Sequence, residues 1–169
     1  VVAFIRSWID DERPAALCVV PIHGGRVRTI VPRRATPGFG SVEELAWSPD
    51  GSRLAFVAPV DPPRFLVGDR PPVGSRGERS PRLRSPIARR ITRGDWRWDE
   101  DGHRDRWSHL WVVDAHTSAA PRQVTSGDWG VSSITWHPDG RTIAFESDRG
   151  DAPDLRPRSS IWAVDVDAG

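Results

Sequence analysis

Lysine, asparagine, tyrosine and methionine are absent from this 169-residue chain, and cysteine occurs once. Without lysine there is no phosphate-cradling Gly-x-x-x-x-Gly-Lys loop, because the ammonium is the group that reaches the nucleotide phosphates. All 24 basic residues are therefore arginine. The missing types share AT-rich codons, so a GC-rich source genome explains the bias more economically than selection for guanidinium chemistry. The lone Cys18 rules out an internal disulfide, and no two of the five histidines stand at zinc-ligand spacing. No run of eighteen apolar residues is present to make a transmembrane helix. With 24 basic and 23 acidic residues the net charge is +1, which leaves no global field for nucleic acid or a membrane surface. A serine nucleophile elbow needs Gly-x-Ser-x-Gly; Gly38-Phe39-Gly40-Ser41-Val42 and Gly130-Val131-Ser132-Ser133-Ile134 both depart from it. No catalytic residue, cofactor ligand or metal ligand is assigned to the chain.

What the chain does have is a repeated phrase. Ala46-Trp47-Ser48-Pro49-Asp50-Gly51-Ser52-Arg53-Leu54-Ala55-Phe56 returns as Thr135-Trp136-His137-Pro138-Asp139-Gly140-Arg141-Thr142-Ile143-Ala144-Phe145. Each copy reads as strand, turn, strand. Pro fixes φ at the second turn position, Asp tolerates the bridge region, and Gly supplies the positive φ that closes the hairpin. A second element also recurs: Leu17-Cys18-Val19-Val20, Leu110-Trp111-Val112-Val113 and Ile161-Trp162-Ala163-Val164, each followed by a polar turn. After the first two turns come Arg26-Val27-Arg28-Thr29-Ile30 and Pro121-Arg122-Gln123-Val124-Thr125. The opening Val2-Ala3-Phe4-Ile5 matches Leu54-Ala55-Phe56-Val57.

In order, the unit is strand, Pro-Asp-Gly turn, strand, loop, strand, turn, strand. Four antiparallel strands per unit make the blade of a β-propeller. The expected fold is all-β: a partial propeller of about two to three four-stranded blades, with one long inserted loop. Residues 1–31 form a partial blade, 42–125 a complete blade with an insertion over 61–106, and 131–169 a second partial blade. Only residues 42–46 leave room for a short helix. So few blades cannot close a ring, the chain lacks methionine even at position 1, and it opens inside a strand. A fragment of a longer protein is therefore expected, with a cytoplasmic setting.

The insertion holds Pro62, Pro63, Pro71, Pro72, Pro81 and Pro86, and between Arg64 and Arg93 nine arginines face two acids. A basic arm for nucleic acid would also interleave aromatics for base stacking, and only Phe65 is present, so a solvated proline-rich loop is expected and no nucleic-acid partner. Asp95-Trp96-Arg97-Trp98-Asp99-Glu100-Asp101-Gly102-His103-Arg104-Asp105-Arg106-Trp107 has a faint calcium-loop look at Asp99, Asp101 and Gly102. Arg97 stands where an acid is needed and Ser108 where the bidentate Glu belongs, so no metal site is expected, and Trp–Arg stacking and ion pairs that tie the insertion to its blade explain the composition equally well. Cys18 takes the place of Trp111 and Trp162 and is expected to be a buried strand residue. His137 replaces Ser48 and is expected on a turn surface, and His109 at the edge of a core strand. His23, His103 and His116 carry no site.

The two Pro-Asp-Gly phrases resemble the repeats of Tol-type propellers and of the N-terminal propellers of prolyl oligopeptidase family serine peptidases. Arg90-Ile91-Thr92-Arg93-Gly94-Asp95-Trp96-Arg97-Trp98-Asp99 followed by Trp107-Ser108-His109-Leu110-Trp111-Val112-Val113-Asp114 resembles the acylaminoacyl-peptidase and dipeptidyl-aminopeptidase branch. Ala144-Phe145-Glu146-Ser147-Asp148-Arg149-Gly150 followed by Ser160-Ile161-Trp162 is similar to that branch too. The resemblance implies a propeller that gates an α/β-hydrolase domain bearing Ser, Asp and His in that order, all beyond Gly169. The chain alone would then be inactive. Its partners would be peptide substrate and, within the molecule, the hydrolase domain; no membrane is expected, and a homo-oligomer stays open. The alternative is a non-catalytic, Tol-like propeller that binds proteins as a scaffold.

Overall fold

The computed structural model describes residues 1–6, 16–31, 42–60, 66–67, 88–89, 94, 97–98, 102–103, 107–117 and 119–168. Its strands are β1 (Val2–Arg6), β2 (Ala16–Val20), β3 (Arg28–Val31), β4 (Glu44–Trp47), β5 (Arg53–Val60), β6 (Leu66–Val67) and β7 (Ala88–Arg89). There follow β8 (Arg97–Trp98), β9 (Gly102–His103), β10 (Trp107–Asp114), β11 (Arg122–Gln123), β12 (Ser132–Trp136), β13 (Thr142–Ser147) and β14 (Ser160–Asp165). No helix occurs among the described residues, so none crosses a membrane. Residues 42–46, which left room for a helix, are extended: Glu44–Trp47 is drawn into a ladder with β5, with Ala46 opposite Ala55 and Trp47 opposite Leu54.

The chain divides into two compact units, Val1–Asp61 with Arg106–Gly169, and Pro62–Asp105. The first holds three antiparallel sheets with the orders β1-β2-β3, β11-β10-β5-β4 and β12-β13-β14. The middle sheet is a complete four-stranded blade, and its neighbours supply strands two to four and one to three of the same plan. The fold is thus a partial β-propeller. In the second unit, Leu66 and Val67 pair with Arg89 and Ala88, and Arg97 and Trp98 pair with His103 and Gly102. The insertion therefore contains two short ladders. Two-residue strands have no periodicity, which is why the sequence pattern does not announce them.

Both hairpins close as their residue types demand. In the first, the Gly51 N–H donates to Ser48 O at 2.9 Å; in the second, the Gly140 N–H donates to His137 O at 3.1 Å. Gly51 and Gly140 sit at φ 70° and 67°, the left-handed region where a Cβ is disfavoured. Registers repeat from sheet to sheet: Phe4 faces Cys18, Phe56 faces Trp111, and Phe145 faces Trp162. Cys18 is thus a fully buried strand residue in the tryptophan position.

Strand periodicity places the core on both faces of the middle sheet. Leu54, Phe56 and Ala58 of β5 and Trp111 and Val113 of β10 join Leu17, Val19, Ile30 and Val31 of the first sheet. Their alternates, Ala55, Val57, Leu110 and Val112, join Trp136, Ile143, Phe145 and Val166 of the third. A strand buried on both faces reads as a continuous apolar run, as Leu54–Ala58 does. Burying one such Phe or Leu side chain contributes about 1.5–3 kcal/mol.

Candidate functional site

Strand alternation puts different chemistry at the two ends of the blades. One end carries the Pro-Asp-Gly turns and the turns after the third strands, and its polar groups are spent on the fold. The Asp50 carboxylate accepts from the Ser48 hydroxyl at 2.6 Å, the Ser52 N–H at 3.0 Å and the Ser52 hydroxyl at 2.7 Å. Those bonds, that from Ser48 first, hold its carboxyl well below the usual range. Asp139 repeats the arrangement with the N–H groups of Arg141 and Thr142, at 2.7 and 2.8 Å, and is lowered likewise. Asp114 and Asp165 cap the next turns through the N–H groups of His116 and Thr117, and of Asp167 and Ala168. Arg53 reaches from the middle blade to Asp167 at 2.9 Å and to the Gly140 carbonyl. The aspartate bonds close single turns, and those of Arg53 tie the middle blade to the next.

The opposite end differs. There β4 and β12 begin, β5 and β13 finish, and the insertion leaves the middle blade after Val60 and returns before Trp107. The Glu44 carboxylate accepts from the Ser133 N–H at 3.1 Å and the Ile134 N–H at 3.3 Å, while the Ser133 hydroxyl donates to Glu146 at 3.2 Å. Ser133 adopts φ 53° where the β12–β13 register slips. A non-glycine residue there costs of order 1–3 kcal/mol, and the slip is what turns two adjacent N–H groups onto one carboxylate.

Beside it stands an aromatic cluster. The Arg149 guanidinium carbon lies 3.7 Å from the Trp129 ring centroid and 4.0 Å from that of Trp162, with Phe145 at 5.3 Å. Trp129 also stacks on Phe145 at 6.2 Å and meets His109 edge-on at 5.5 Å. Burial lowers the Arg149 pKa, and cation–π attraction offsets part of that loss of hydration.

His109 lies inside β10 and is buried, rather than at the strand edge as the sequence suggested. The Thr125 hydroxyl accepts the Leu110 N–H at 2.9 Å and lies 3.3 Å from His109 Nδ1, a hydrogen bond whose donor is set by the imidazole tautomer. Burial pushes the imidazole pKa down, against a smaller upward effect of a hydrogen bond with the Gly127 backbone. His137 is exposed on its turn, with Nδ1 3.0 Å from Asp139 Oδ2. His116 Nε2 lies 3.1 Å from Gly51 O, and His23 sits exposed in the β2–β3 turn. Asp99, Asp101, the Trp–Arg stacking expected around 95–106, and Gly38 to Ser41 lie outside the described residues. Among the described residues no three His, Cys, Asp or Glu side chains gather at metal-binding range.

Glu146, Arg149 and Trp162 belong to the motif that carries the family resemblance, whereas nothing in the sequence pattern marks Trp129 or Glu44. The available signal was Asp148-Arg149-Gly150 directly after an apolar strand. Fixed carboxylates, a guanidinium and indole rings suit recognition of an extended polar chain and supply no nucleophile. A family model described as the dipeptidyl peptidase IV (DPP IV) N-terminal region matches residues 85–169, from within the insertion through β14. No curated protein matches the chain.

Proposed function

Because the chain belongs to the dipeptidyl peptidase IV N-terminal region family, we propose that it is the substrate-gating propeller segment of a serine peptidase that hydrolyses short peptides. The observation that carries this reading is the family match running through β10–β14, the strands that frame the Trp129–Arg149–Trp162 cluster. A propeller of this kind acts by exclusion. Folded substrates do not pass between its blades, whereas an extended peptide does, and closure around the peptide keeps bulk water from the reaction. The nucleophile, its base and the orienting carboxylate belong to a hydrolase domain encoded after the blades, which is also their intramolecular partner.

The test is chemical labelling of the complete product of the encoding gene with a fluorophosphonate serine probe, followed by assays on dipeptidyl and acyl-aminoacyl anilides. The expected result is one labelled serine within Gly-x-Ser-x-Gly, hydrolysis of one anilide class, and neither property in residues 1–169 alone. A complete gene product with no such serine and no turnover overturns the reading. The preferred anilide decides between free and acylated N-termini.

A further inference from the structure

We propose that Arg149 is a receiving group for a peptide carboxylate. Two indole rings lie within about 4 Å of its guanidinium carbon, 3.7 Å for Trp129 and 4.0 Å for Trp162. Two rings at that range hold the planar group by cation–π attraction and leave its N–H edge as the part able to donate. That edge carries the N–H donors in the fork geometry that matches two carboxylate oxygens. Among the described residues none accepts from it. Among the described residues the adjacent Asp148 makes no ion pair with it and accepts instead from the Gly150 N–H at 2.9 Å and from the Arg158 N–H. Glu146, on the strand before, takes the Ser133 hydroxyl. Arg149 is therefore a cation held by its rings, with no acceptor on its donors among the described residues, which lowers the entropic cost of ordering it on a ligand.

The ring walls favour a carboxylate attached to a peptide over a free inorganic anion. Trp162 keeps 38% of its surface exposed, so apolar ring surface flanks the donor edge. A terminal carboxylate and an acidic side chain present the same two oxygens. The inference does not rest on the peptidase reading, since a non-catalytic propeller with this geometry binds the same group.

The experiment is a titration of the full chain, followed by tryptophan fluorescence, with three capped peptides. One is acetyl-Ala-Ala-Ala with a free C-terminus, one is acetyl-Ala-Glu-Ala-amide, and the control is acetyl-Ala-Ala-Ala-amide. Saturable binding of either carboxylate peptide, at least about tenfold tighter than the control and weakened by salt, is expected. The peptide that binds identifies the source of the carboxylate. Arg149→Gln should remove the preference. Arg149→Lys, which keeps the charge over the rings but loses the fork, should weaken it several-fold, and it decides the matter if the glutamine variant does not fold. Equal binding of all three peptides, no saturable binding, or an unchanged preference in both variants overturns the proposal.

Discussion

Arg28 and Arg122 occupy the same place in successive blades, Arg28 opposite Val19 and Arg122 opposite Val112. Each crosses to the next sheet and donates to the carbonyl of the residue after the third-strand aspartate, Ala115 or Val166. Both receiving residues are buried, and a buried main-chain carbonyl without a donor is destabilising. Arg28 donates in addition to His116 O at 3.0 Å. The apolar clusters press the sheets together, and this pair of guanidinium bonds fixes how far each blade slides along the next.

Arg122→Ala should therefore lower the unfolding free energy by about 1–2 kcal/mol, mostly through the Val166 carbonyl left without its donor. Arg122→Lys should recover little, since an ammonium on a flexible stem does not reproduce the planar fork. Arg28→Ala should behave alike. The two share no partner, so the double variant should sum to within about 0.5 kcal/mol. Urea midpoints at constant slope read all of these, and strong non-additivity would show that the latches do not act one interface at a time.

The buried His109 makes a pH prediction. Burial lowers its folded pKa beneath the unfolded value of about 6.5, so the unfolded chain takes up the proton first. The neutral imidazole's contribution is complete above that unfolded value. It is lost as pH falls from about 6.5 through the folded value. Melting temperatures from pH 8 to pH 5 should decline in the native chain and decline less in His109→Gln. Equal slopes would mean that His109 titrates alike in both states.

Asp50 and Asp139 act lower on the pH scale. Each is held below its ordinary value by hydrogen bonds within its own turn, to Ser48 and Ser52 or to Arg141 and Thr142. A depressed folded pKa gives stability that is present above the unfolded value of about 3.9 and lost as pH falls through the folded one. Asp139→Asn should lower stability at neutral pH and flatten the acid limb of the stability curve. An unchanged acid limb in the Asp50→Asn, Asp139→Asn double variant would show that these carboxylates titrate with normal values.

The features legible in the sequence are those repeated within one blade. Pro49-Asp50-Gly51 and Pro138-Asp139-Gly140 contain their own turn chemistry, and aligning Cys18 with Trp111 and Trp162 places the register correctly, since each faces the phenylalanine of the preceding strand. Contacts between blades are another matter. Arg28 meets Ala115 and Arg53 meets Gly140 across 87 residues, and in an arginine-rich chain nothing local separates a latch from a solvated side chain. His109 looked like an edge residue because its burial depends on Trp129 and Thr125, which follow it and fold back. The Glu44–Ser133 contact was hidden for the same reason: the two residues belong to different blades, and only packing β4 beside β12 unites them.

That union makes the last prediction. Ser133 holds φ 53° where the Glu44 carboxylate takes its N–H and that of Ile134. Ser133→Gly should be nearly neutral, since relief of strain is offset by the greater freedom of glycine in the unfolded chain. Ser133→Val should cost about 1–2 kcal/mol more, because a β-branched residue fits the left-handed region worst. Glu44→Ala should cost about 1 kcal/mol in the native chain and less in Ser133→Val, where the slip that aims both N–H groups is already disfavoured. A double-variant cycle by urea denaturation measures this coupling. A coupling indistinguishable from zero would mean that the β12 backbone takes this path without the carboxylate, and that Glu44 is free to serve a ligand instead.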